Sequence, residues 1–161
     1  MIESNIQSIE ELLLHDEDFP INYVDMTHPD DYKVTCSSNS EFIMHSRFGR
    51  HNRLIARVSW KISDNTYMPL SFVCDTGAPS HFYLSVNALN KLGEYNVFKT
   101  DERGTMYVKV FKTPTETFLA NIEETPHVHK NANIIGLKAL QKLELHVSDQ
   151  RFSFNSNFTY L

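Results

Sequence analysis

The chain has 161 residues, 41% of them hydrophobic and 12% aromatic, enough for one domain with its own core. A net charge of -5 argues against a nucleic-acid footprint, and no apolar run reaches the length of a membrane span. Two cysteines, Cys36 and Cys74, make no disulfide framework, so a reducing, intracellular (cytoplasmic) setting is the expectation. The polar start Met1-Ile2-Glu3-Ser4 does not read as a signal peptide.

Residues 1–52 read as an N-terminal extension. Ser8-Ile9-Glu10-Glu11 fits a capping box, and Ile6, Ile9, Leu12 and Leu13 give a short amphipathic helix one apolar face. Asp16-Glu17-Asp18 opposes the helix dipole and sets its end near His15. Pro20, His28-Pro29-Asp30-Asp31 and Ser37-Ser38-Asn39-Ser40 are loop signals around two short strands.

The pattern changes at Arg53, where a second region, 53–161, begins. Leu54, Ala56, Val58, Trp60 and Ile62 alternate with polar residues, which predicts a half-buried strand with Trp60 in the core. Ser63-Asp64-Asn65 is turn chemistry, and Met68, Leu70, Phe72 and Cys74 alternate again. The resulting hairpin ends in Asp75-Thr76-Gly77, with Cys74 read as a small buried hydrophobe. A carboxylate placed just past a strand is held on a rigid base. Thr76 can bond to the backbone, and Gly77 permits close approach.

Ser85 caps and Gly93 stops a short helix. Val97-Phe98-Lys99 and Met106–Phe111 suggest a second hairpin across the turn Asp101-Glu102-Arg103-Gly104, and Thr117–Ile122 a further strand. Asn133-Ile134-Ile135-Gly136 then runs into a short helical pattern, Leu137, Leu140 and Leu143. Leu145 and Val147, with Phe152 and Phe154, form a last hairpin around Ser148-Asp149-Gln150. Many short strands with one or two brief helices predict an all-β fold, a small closed structure rather than a βαβ sheet.

An apolar strand into Asp75-Thr76-Gly77-Ala78, then Ile134-Ile135-Gly136 into a short helix, resembles the retropepsin-like aspartic proteases of retroviruses and gypsy-type retrotransposons. The resemblance covers roughly residues 53–155 and implies a small closed β-barrel. It also implies a homodimer that hydrolyses a polypeptide, with no cofactor and no metal. Asp75 would be the catalytic aspartate, one from each chain, with Thr76 bonding across the dimer and Gly77 beside it. Ala78, Ser80, Arg103, Gly104, Ile134 and Ile135 would bind substrate, the turn at Arg103-Gly104 standing where the family has its flap.

Pro79 and Leu137 stand where retroviral members carry an acidic residue and an Arg, and the flap here is not Gly-rich. A rival reading is a catalytically silent descendant, kept as a dimerisation or peptide-binding module. The eight histidines, including His45, His51, His127 and His129, lack partners at ligand spacing and read as solvated surface residues. Arg47, Arg50, His51 and Arg53 read as a solvated basic loop.

Overall fold

A computed structural model describes residues 31–36, 43–48, 53–113, 115–126, 130–148 and 152–154, with 43–48 as backbone only. The expected N-terminal helix, the loops at 20, 28–30 and 37–40, and His45, His51, Arg47, Arg50, His127 and His129 as side chains lie outside the described residues. So do Asp149 and Gln150.

The chain is mainly β. In order come β1 (Ile43–Phe48), β2 (Arg53–Ser63), β3 (Thr66–Cys74), β4 (Phe82–Leu84), α1 (Val86–Gly93), β5 (Lys99–Thr100) and β6 (Met106–Phe111). Then follow β7 (Thr117–Glu124), β8 (Ile134–Ile135), α2 (Leu137–Lys142), β9 (Leu145–Val147) and β10 (Phe152–Phe154). Eight strands form one sheet in the order β1-β2-β3-β8-β4-β7-β6-β5, and β9 pairs with β10 apart from it.

The alternation read in β2 and β3 is what pairs them. Ala56 lies opposite Phe72, Val58 opposite Leu70 and Trp60 opposite Met68, so the apolar set of both strands shares one face. Trp60 has no exposed surface and packs against Phe72, Phe82 and Phe98, with ring centroids 6.2, 5.8 and 6.1 Å away. Its buried Nε1–H has no hydrogen-bond acceptor among the described residues, so packing is what holds the indole there. Ala88 and Leu92 of α1, Ala139 and Leu140 of α2, and Phe154 of β10 close this core from outside the sheet. Ser85 caps α1 as expected, its side chain accepting the Ala88 N–H.

β3 is buried on both faces from Tyr67 to Val73, beyond what its alternation predicts. Residues 31–35 run along the edge of β3 opposite β2. Tyr32 N–H donates to Pro69 C=O, Thr35 bridges Tyr67 in both directions, and buried Asp31 faces Arg57 at 3.4 Å. Pro69 can sit mid-strand because its missing N–H falls on this side, where no full strand pairs. β1 and residues 31–35 thus both hydrogen-bond to the 53–161 region.

Among the described residues the expected small closed barrel does not form; the main sheet is open, with β1 and β5 as its ends. Within the same residues β1 covers β2 from Arg53 to Arg57, and two-residue β5 covers β6 at Met106 and Tyr107. No described helix is long and apolar enough to cross a membrane.

Candidate functional site

β3 and β4 follow each other in the chain, yet β8 lies between them. It runs parallel to β3 through Val73–Ile134 and Cys74–Ile135, and antiparallel to β4 through Ile134–Tyr83 and Ile135–Phe82. The connection 75–81 therefore passes over the end of β8 and meets the turn into α2. Hydrogen bonds clasp the two together. Asp75 N–H donates to Ile135 C=O (2.9 Å), Gly136 N–H to His81 C=O (2.8 Å) and Leu137 N–H to Ala78 C=O (2.6 Å). Lys138 N–H reaches Ser80 C=O at 3.3 Å.

Gly136 makes this approach possible. Its φ of -87° suits any residue, so contact and not conformation demands glycine. A Cβ there would lie 2.8 Å from Ala78 O and nearer still to Ser80 O, both backbone atoms that cannot step aside.

On this clasp Asp75 is half-buried, while Thr76 and Gly77 are exposed. Asp75 Oδ1 accepts the Gly77 N–H at 2.8 Å, and Asp75 C=O accepts the Ala78 N–H at 3.2 Å. A Cβ on Gly77 would come 3.1 Å from Oδ1, so a side chain there would press on the carboxylate. No described residue hydrogen-bonds to Oδ2. One oxygen fixes the rotamer, and the other has no described partner.

The two isoleucines part company. Ile135 has no exposure and belongs to the main core, so it offers nothing to a ligand on the other face. Ile134 joins Tyr83 and Ala132 in a second small cluster, against which Ala78 packs. Ser80 is buried, and its N–H donates to Tyr83 Oη at 2.9 Å, a role in holding the loop. Arg103 and Gly104 are exposed, and the described contacts hold them within their own turn and do not bring them to Asp75.

Burial pushes the Tyr83 phenol above its ordinary range, and the Glu123 and Asp75 charges add to this against the Ser80 N–H. The Cys74 residue keeps some surface but its thiol lies inside. Burial first, then the Asp75 charge, pushes that thiol up to about 12, so it is inert.

Sequence reasoning missed His81 and Asn133. His81 is buried, its Nδ1 accepts the Asn121 N–H at 3.2 Å, and its ring stacks on Phe118. Burial, then Lys138 and Lys142, hold it below the ordinary histidine value. Asn133 Oδ1 accepts the Ser85 N–H, tying the entry of β8 to the start of α1. An uncharged amide just before a buried apolar pair was the one available signal for Asn133; His81 had none.

Among the described residues no group of three or more His, Cys, Asp or Glu could hold a metal ion. No family model, curated protein or solved structure matches this chain.

Proposed function

We propose that the chain is a retropepsin-like aspartic endopeptidase, in which two copies each contribute Asp75 to one catalytic pair. The observation that carries this is the clasp. Asp75-Thr76-Gly77 sits on Ile134-Ile135-Gly136 through hydrogen bonds and a contact that only glycine permits, as the resemblance requires of a rigid catalytic turn.

In the dimer the two Asp75 carboxylates lie side by side, and like charges at that range lead the pair to share one proton. The ionised member takes a proton from a water lodged between them, and the water oxygen attacks the peptide carbonyl carbon. The protonated member gives its proton to the carbonyl oxygen, forming a neutral gem-diol. Proton transfer to the amide nitrogen then breaks the C–N bond and releases acid and amine. Gly77 N–H keeps the Asp75 Oδ1 in place, Thr76 bonds across the dimer, and Ala78 with Ile134 offers an apolar surface for a substrate side chain.

One observation favours the silent peptide-binding or dimerisation module. The turn at Arg103-Gly104 is short, and Asp101 takes up its N–H groups, so it does not furnish a long flap. A mixed peptide library incubated between about pH 4 and 7 with wild type and with Asp75→Asn decides. New amino termini that vanish in the variant support the protease. Identical products from both leave the silent module.

A further inference from the structure

The described ends of β2 and β6 border a groove. β2 beyond Arg57 has no described strand on its β1 side, and Val108–Val110 of β6 have none on their β5 side. Between the β2–β3 turn and this edge of β6 lies a groove of about 320 Å³, with Tyr95–Val97 along it. It is remote from Asp75, because β3 runs nine residues from Thr66 to Cys74, about 30 Å of extended chain.

Three observations define what the groove suits. It runs along β6 at Val108 and Lys109, where no described strand pairs on the β5 side, so backbone N–H and C=O groups there can meet another extended chain. It carries exposed apolar surface, with Tyr95 42% and Leu119 61% exposed. Its charge is inverted relative to the protein: among the described lining residues Lys99 and Lys109, with Lys61, outnumber the single acid Asp64, on a chain of net charge -5.

The register puts the lysines together. Lys61 alternates with Trp60 and Ile62, Lys99 pairs with Tyr107, and Lys109 pairs with Leu119. All three occupy the sheet face opposite the core, whereas Val108 and Val110 point inward. A guest strand beside β6 would set alternate side chains on these two faces.

We infer that this groove binds an extended acidic segment of a partner protein, which adds as a strand beside β6 at Val108–Val110, where no described strand pairs. Its acidic side chains fall on the lysine face and its apolar ones extend the row of Val108 and Val110. Lysines on a free edge also deter strand pairing. The apolar strip and the walled groove are what a deterrent alone does not need.

The test titrates the full-length chain with a labelled peptide of alternating Val and Glu and follows fluorescence anisotropy. Saturable binding is expected, weakened about tenfold when alternate peptide nitrogens are methylated, since strand addition needs those N–H groups. Lys109→Glu should weaken it about fivefold. No binding, equal binding of an alternating Val and Lys peptide, or indifference to methylation overturns the inference. So does self-association of the chain that displaces the peptide, which would make a second copy the occupant.

Discussion

Two turns in this chain pair an aspartate with a nearby glycine, and they treat the aspartate in opposite ways. In the Asp101 turn, Oδ1 accepts N–H groups from both Arg103 and Thr105, at 2.8 and 2.9 Å. Asp101 C=O accepts the Gly104 N–H, and Gly104 supplies the positive φ of +82°. The acid is consumed in building an exposed loop. In the Asp75 turn, Oδ1 accepts only the Gly77 N–H, because the β8–α2 turn behind it provides the rigidity. Residue types alone do not distinguish a structural carboxylate from an available one; what lies behind the turn does.

The hardest blow to this contrast falls on the two glycines. Gly136→Ala forces a Cβ into the Ser80 and Ala78 carbonyl oxygens and should cost about 3 kcal/mol or more. Gly104→Ala meets open space and suffers only from its φ, about 1 kcal/mol. Urea denaturation of both variants checks the ranking. Equal losses would mean that the clasp yields and is not the foundation of the Asp75 turn.

A smaller expected effect separates the acids themselves. Asp75→Asn keeps an oxygen for the Gly77 N–H, so stability should move by less than about 1 kcal/mol. Any peptide hydrolysis should fall by about a hundredfold or more. Asp101→Ala loses two N–H contacts and should cost about 1 kcal/mol, with hydrolysis within about twofold of wild type. Paired measurements of melting and turnover test both halves. If Asp101→Ala abolished turnover as well, the division between a structural and an available aspartate would be wrong.

How much of this was legible follows from the range of each interaction. The hairpin β2–β3 was readable because alternation is local, and the Ser85 cap because it acts three residues along the chain. The pairing of residues 31–35 along β3 was not, since Tyr32 and Thr35 reach Pro69 and Tyr67 from more than thirty residues away. The opposite faces of Ile134 and Ile135 follow from strand alternation, yet which face meets the core depends on β3 and β4 on either side. Failure to close was hidden too, because strand count does not fix where two edges stop. Gly136 could be placed in the motif but not explained, as its ordinary φ shows nothing until the Ser80 carbonyl is seen above it.

The contrast extends to acid, because the clasped turn has a titrating neighbour. His81 offers its backbone oxygen to Gly136 in the clasp, and its neutral ring anchors the same loop to β7 by accepting the Asn121 N–H at Nδ1. Burial first, then Lys138 and Lys142 of α2, keep its folded-state value below the ordinary 6.5. A proton taken up at Nδ1 would turn the acceptor into a donor facing another donor. As pH falls below about 6.5 the unfolded chain protonates this histidine before the folded chain does. The unfolded state then holds more protons, and His81 lowers stability progressively until its folded value is passed; at higher pH its contribution is flat. His81→Gln retains an acceptor and cannot titrate, so its denaturation midpoint should fall less than wild type's between about pH 7 and 5. Parallel pH profiles would remove His81 from the clasp's energetics, leaving its hydrogen bond a consequence of packing against Phe118.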